Sequence, residues 1–291
     1  MEIKLIKTFD LSNKDKFSMI ELDNITSTFR EDGVIILDNL IPISILNTIK
    51  YKIEEDLNNF SKKKTWIGGG LVIGHINAIP PLTKSFIFPE ILCNNLLHQI
   101  SGKILNARTI NLDYSANINL PKSTRQLFHS DDSSMLNEII MISIPLGKVN
   151  ELNGSIEFIP KTQYEPFNRK KSSRLESERA NTINGSAIVW RPSLWHRGTY
   201  NFSDKPRIML NIKHTSINSK IHLSTPPLLL NQNCIEILDE SLDKINLKLA
   251  DLPDSETIFS KNYFNSGIYG FLREVIYKFT ILMYDKINKK H

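Results

Sequence analysis

Cysteine is scarce in this chain: two residues among 291, Cys93 and Cys234, far apart and in no paired motif. That excludes a disulfide framework and leaves reduced thiols in a cytoplasmic setting as the expectation. Long apolar runs are also missing, since no segment reaches the roughly 18 apolar residues of a bilayer-spanning helix. The first residues, Met1 to Lys7, lead into no such run and no small-residue cleavage site, so no signal peptide is expected. There is no internal repeat, no low-complexity tract and no arginine-rich run interleaved with aromatics. The net charge of +5 and pI near 9.0 come from lysines scattered along the chain. Such a distribution reads as a solvated surface and argues against a nucleic-acid partner. What remains is ordinary for a globular protein: 41% hydrophobic and 23% charged residues, in a chain long enough to bury a substantial core.

Local patterns divide the chain into three stretches. A helix is expected from about Ile20 to Arg30, stopped by Gly33, followed by a short apolar strand, Val34 to Leu37. Pro42 opens a second helix toward Asn58, with Ile45, Leu46, Ile49, Ile53 and Leu57 at helical spacing. A glycine-rich loop around Gly68-Gly69-Gly70 leads to His75, and a helix from Pro89 to Ile100 stops at Gly102. Strand patterns then follow at 107–114, 125–129, 138–145, 155–159, 186–190 and 207–214. After Pro226-Pro227 the pattern is helical again, ending in an amphipathic tail from Gly270 to Lys290. The expected organisation is one α+β domain spanning residues 1–291. Its antiparallel β core, a sandwich or barrel, runs from about 104 to 218, with a helical extension from about 228 to 291.

The chemistry concentrates in the β core. His129 and Asp131 are two apart, so on a strand both side chains leave one face and can reach one metal ion. A lone His-x-Asp is a weak signal that arises often by chance, and a structural hydrogen-bonded cluster or another metal site is the alternative. His196 follows Asp131 by 65 residues, after a strand and a proline turn. Two imidazoles and one carboxylate make the facial triad of non-haem Fe(II) oxygenases, which leaves coordination positions open. Arg207 lies 11 residues beyond His196 and could clamp a carboxylate bidentately, or pair with Asp204. The open positions suit a chelating 2-oxo acid and O₂.

These residues sit in a pattern that resembles the phytanoyl-CoA hydroxylase (phytanoyl-CoA dioxygenase) family of Fe(II)/2-oxoglutarate oxygenases. The resemblance rests on Gln126 three residues before the His-x-Asp and on Asn153-Gly154 ahead of Ile159-Pro160. Gly185 before the distal histidine, then His196, Asn201 and Arg207, complete it. It is most specific over residues 125–210; Asp32 to Leu37 matches the family's first strand. The resemblance implies a double-stranded β-helix core of jelly-roll, cupin-like form, with N- and C-terminal helices flanking it. It implies Fe(II) held by His129, Asp131 and His196, and 2-oxoglutarate held by Arg207 with Gln126, Asn119 and Thr199 nearby. The family often carries Ser two residues after the distal histidine to support the co-substrate carboxylate; Gly198 stands there, with Thr199 next. Because Asp131 keeps the carboxylate that related halogenases replace, oxygen chemistry is favoured over halogenation. The implied partners are a small-molecule substrate and O₂.

Further residues admit two readings each. His75 and Asn77 could face the substrate across a glycine-rich loop, or His75 could be a surface residue of that loop. Trp195 is a candidate substrate platform or a packing residue. The basic stretch 161–179 is a solvated excursion or a lid, and the C-terminal helix packs on the protein or touches a membrane surface. The functional expectation is hydroxylation of an unactivated C–H. The alternatives are desaturation, cyclisation or epimerisation with the same cofactors, or a non-catalytic β-barrel that binds a ligand. Nothing in the sequence speaks to oligomeric state.

Overall fold

A computed structural model describes residues 5–63, 69–70, 74–78, 88–132, 137–216 and 218–219. The first elements are β1 (Lys7–Asp10), α1 (Met19–Asp32) and β2 (Val34–Asp38). Helix α1 starts where Ser18 and Glu21 exchange side-chain and backbone hydrogen bonds, a capping box worth about 1 kcal/mol. It ends at Gly33, whose φ of 78° turns the chain directly into β2. Next come α2 (Ile43–Lys63), β3 (Gly69–Gly70), β4 (His75–Ala78), α3 (Pro89–Leu92) and α4 (Asn95–Leu105). The rest is mostly β: β5 (Thr109–Asn119), β6 (Ile139–Pro145), β7 (Ile156–Phe158), α5 (Arg169–Ser172), β8 (Glu178–Arg179), β9 (Ala187–Trp190), β10 (His196–Gly198) and β11 (Arg207–Ser216).

Eight strands form one sheet in the order β1-β2-β9-β6-β11-β5-β4-β3, and β10-β7-β8 form a second. All pairs are antiparallel except β1 on β2. The side-chain period of two assigns each face of the large sheet its own task. Ile35, Leu37, Ile118, Ile142, Val189, Ile208, Leu210 and Ile212 face the helices and pack with Ile25, Phe29, Ile49, Ile53, Leu97 and Ile100. Burying each such side chain is worth roughly 1.5–3 kcal/mol. The opposite face meets the small sheet, where Ile36, Met141, Ile188, Trp190 and Met209 pack with Phe158 and Leu194.

That inner face changes character across the sheet. On β2, β9 and β6 it is largely apolar and closed. On β4, β5 and β11 the positions in phase with it are His75, Asn77, Ser115, Asn117, Asn119, Arg207 and Asn211. Helices on one face and a small sheet on the other make this the α+β jelly-roll expected, with the polar half of its interior available for a ligand.

Several local expectations are corrected. Residues 125–128 form no strand; only His129 makes an isolated bridge, to His196. The helix expected from Pro89 to Ile100 is two, because Asn94 caps a new helix by accepting from the Leu97 N–H. That helix runs through Gly102 and stops at Asn106, whose φ is 51°. The glycine-rich loop before His75 contributes a short hairpin, β3 on β4, at the edge of the sheet. Strand β1 was not expected. The helical extension 228–291, its amphipathic tail and Cys234 lie outside the described residues. Among the described residues, no helix is long and apolar enough to cross a membrane.

Candidate metal centre and co-substrate pocket

The three residues of the expected triad converge. One ligand atom each from His129, Asp131 and His196 lie within 4.8 Å of one another. The two histidines, far apart in sequence, meet through their backbones: the His129 N–H donates to the His196 carbonyl at 3.0 Å and the reverse bond is 2.9 Å. Asp131 is fixed by its own N–H, which donates to the Pro192 carbonyl at 2.9 Å. Between them Ser130 turns away, its hydroxyl within reach of the Asp132 and Ser193 carbonyls. The i, i+2 geometry inferred for a strand is thus achieved without one.

Both imidazoles are oriented the same way. The Nδ1–H of His129 donates to Leu127 O at 2.9 Å, and that of His196 to Leu194 O at 2.8 Å. A carbonyl can only accept, so each Nδ1 donates there and each Nε2 is the nitrogen turned toward the carboxylate. The Nε2 atoms stand 3.5 and 3.6 Å from the two Asp131 oxygens. His196 is 5% exposed and lies edge-on to Trp190, with ring centroids 4.5 Å apart. Burial works against ionisation of Asp131, but hydrogen bonds and charge from the two histidines outweigh it and hold its carboxyl below the usual range. Burial likewise opposes protonation of His129, and Asp131 more than compensates, raising it. Two neutral imidazole nitrogens and one carboxylate, pre-oriented and with one side open, fit a ferrous ion.

Arg207, the residue expected to meet the co-substrate, lies on the polar half of the large sheet's inner face. It opens β11 directly opposite Asn119 of β5 and is 5% exposed. Its Nε donates to Gly154 O at 3.0 Å and its Nη1 to Asn117 Oδ1 at 3.0 Å. No carboxylate among the described residues neutralises it, Asp204 included, and burial alone pulls its pKa down to about 10. A buried guanidinium without an anion is costly. Beside it the Asn119 Oδ1 is buried without a partner among the described residues, while its Nδ2 donates to Thr199 O. A pocket with an uncompensated cation facing the interior fits an anionic co-substrate.

The remaining expected site residues sort themselves by contact. Gln126 Oε1 accepts from the Gly198 N–H at 2.8 Å and so braces β10 beside His196. The Thr199 hydroxyl donates to Ser155 O, which commits its proton to the fold rather than to a co-substrate. His75 is not a surface residue but 5% exposed, in the row of Asn119 and Arg207. Asn77 is exposed and accepts from Asn117 Nδ2. Trp195 is corrected as a substrate platform: it is fully buried, edge-on to Phe167, with its indole N–H on Glu165 O. The basic stretch 161–179 reaches α1 through Lys161 on Glu31, and within it Lys171 pairs with Glu165. Asn117 was missed, as were the Leu127, Leu194 and Pro192 carbonyls that orient the triad. Asn117 carries a strand-phase signal relative to Asn119; the carbonyls carry none.

Comparison with known proteins adds the family. A family model described as phytanoyl-CoA dioxygenase matches residues 29–209. The chain belongs to the phytanoyl-CoA dioxygenase family. Solved structures share the fold at low identity. The epimerase SnoN, in complex with Fe3+, alpha ketoglutarate and nogalamycin RO, superposes with a TM-score of 0.57 at 11% identity, over 68% of this chain and 85% of that one. The non-heme alpha ketoglutarate dependent carbocyclase SnoK from nogalamycin biosynthesis gives 0.55 at 14%, over 74% and 94%. EctD from S. alaskensis, with 2-oxoglutarate and 5-hydroxyectoine, gives 0.54 at 16%, over 70% and 78%. As a phytanoyl-CoA dioxygenase family member this chain is an iron- and 2-oxoglutarate-dependent oxygenase, and the donor set above suits both cofactors.

Proposed function

We propose that this enzyme hydroxylates an unactivated C–H bond of a small or carrier-linked metabolite, with succinate and CO₂ as co-products. His129, Asp131 and His196 would hold Fe(II), and Arg207 would pair with the distal carboxylate of 2-oxoglutarate. The observation that carries the reading is a three-ligand cluster together with a buried guanidinium that has no carboxylate partner among the described residues. When bound, iron and 2-oxoglutarate supply oxidative decarboxylation coupled to hydrogen abstraction from a substrate carbon.

The chain's own residues contribute orientation and exclusion of water. Leu127 and Leu194 fix the ligand tautomers, and Trp190 shields His196 on its buried side. Beyond Arg207 the inner wall continues with Asn117, Ser115 and Asn211, the last accepting from the Ser143 hydroxyl at 2.7 Å. Amides and hydroxyls on that wall support a polar substrate over a bare acyl chain.

The test is succinate release that requires both Fe(II) and 2-oxoglutarate and disappears in Asp131→Ala. With labelled O₂, one labelled oxygen in the product supports hydroxylation. A product two hydrogens lighter, or an isomer of the substrate, assigns desaturation, cyclisation or epimerisation instead; SnoN is named as an epimerase and SnoK as a carbocyclase. A protein that binds metal and 2-oxoglutarate yet never releases succinate would return the reading to a silent ligand-binding barrel.

A further inference from the structure

Gly198 lies two residues after His196 on the same strand, so its missing side chain points to the same interior side. That space is taken. A Cβ at 198 would stand 2.8 Å from His75 Cε1, 3.1 Å from Gln126 Oε1 and 3.3 Å from His75 Nδ1. The His75 ring edge therefore occupies the volume that any side chain at 198 would need. His75 cannot easily swing away, because its Nε2–H donates to the Thr124 carbonyl at 2.6 Å and the residue is 5% exposed.

Register places the same ring beside the arginine. His75 of β4 pairs with Asn119 of β5, and Asn119 pairs with Arg207 of β11. Alternation confirms the direction: the next residues in each strand, Ile76 and Ile208, and Ile118 before Asn119, face the helical core. His75, Asn119 and Arg207 thus form one cross-strand row on the interior wall, and Gly198 closes against the first of them.

We propose that His75 is a positioning and specificity-determining residue for the 2-oxo acid: its imidazole fills the space that Gly198 leaves and, with Asn119 and Arg207, bounds the distal end of the co-substrate pocket. The proposal rests on the cofactor assignment above and adds a residue to it. The ring limits pocket length, so a co-substrate one methylene longer than 2-oxoglutarate meets it first. His75 and Gly198 are a matched pair, and bulk moved from one to the other should preserve the wall.

The experiment is anaerobic titration of the Fe(II)-loaded full-length protein with 2-oxoglutarate and with 2-oxoadipate, following the charge-transfer absorption of the chelate, with Mn(II) affinity measured in parallel. Wild type should prefer 2-oxoglutarate clearly. His75→Ala should weaken 2-oxoglutarate at least about tenfold and narrow that preference by a similar factor, with Mn(II) affinity within about twofold. Gly198→Ala, which leaves the Thr124 bond in place, should also weaken 2-oxoglutarate by forcing the ring inward. The double variant His75→Ala/Gly198→Ser should recover much of the affinity and discrimination lost in His75→Ala. Equal discrimination between the two acids in wild type and His75→Ala overturns the proposal, as does a Gly198→Ala protein that binds both as wild type does. Absence of any charge-transfer band in wild type would instead refute the cofactor assignment, leaving the two failures distinguishable.

Discussion

His129 and His196 hydrogen-bond to each other through their backbones, each N–H on the other's carbonyl, at 3.0 and 2.9 Å. This reciprocal pair sets the spacing of the two imidazoles. Their rings lie 4.4 Å apart, each locked by a carbonyl two residues back in sequence. The spacing of the candidate ligands is therefore set by the fold's own hydrogen bonds.

A preformed site predicts a folded metal-free protein. Near-ultraviolet circular dichroism of chelator-treated protein should match that of Mn(II)-loaded protein, with Mn(II) raising only the melting temperature. Loss of the aromatic signal on chelation would contradict the preformed site.

Arg207 predicts a co-substrate effect on stability. With its charge buried and unmatched by any described carboxylate, a dicarboxylate that binds beside it should stabilise the metal-loaded protein by about 2.7 kcal/mol at a hundredfold excess over Kd. Arg207→Met keeps the length and removes the charge. It should lower 2-oxoglutarate affinity by roughly two orders of magnitude, the scale of a broken buried ion pair. An unchanged thermal shift with 2-oxoglutarate in Arg207→Met would remove Arg207 from the pocket.

A buried polar cluster away from the metal predicts acid sensitivity. His98 and His214 stack at 4.4 Å between α4 and β11, with Thr109 and Ser101 as partners. Burial lowers the pKa of both, and for His214 the neighbouring His98 adds to it. His75 is likewise pushed down to about 4, by burial first, with Arg207 and His129 adding and the Thr124 carbonyl opposing. The unfolded chain titrates these histidines near 6.5, so below that pH it binds more protons than the folded protein. Stability is full above about pH 6.5 and falls as pH drops toward and through 4; His75 alone accounts for a loss on the order of 3 kcal/mol. Chemical denaturation of the metal-free protein between pH 7.5 and 4.5 checks this. A flat profile across that window would contradict it.

Metal loading should carry its own pH dependence. His129, raised by Asp131, must shed its proton before it ligates, so affinity for Mn(II) should weaken as pH falls. Titrations at pH 6 and 8 that return equal affinity would count against His129 as a ligand.

The site was legible in the sequence where chemistry depends on side-chain identity at fixed spacing. His129, Asp131 and His196 come together as their order suggested, and Gly33 and the apolar phase of Val34–Leu37 located β2. What escaped depends on pairing between distant segments. The burial of His75 comes from register with Asn119, 44 residues later, and local glycines pointed to a loop instead. Strand β1 is four residues with little apolar character, held by its parallel neighbour β2. Gly102 carried a stop signal, but its carbonyl instead accepts the capping N–H groups of Asn106 and Ala107, which moves the helix end beyond it. Trp195 was ambiguous because it stands just before the strand that carries His196: it packs fully buried against Phe167 instead of lining the site.

The most direct test of the metal assignment is anaerobic calorimetry of Co(II) binding to wild type and to His196→Ala. Wild type should bind one ion, and the variant should lose at least about a hundredfold in affinity, since an imidazole ligand and its preset geometry are both removed. Equal stoichiometry and affinity in the two proteins would contradict the centre at His129, Asp131 and His196.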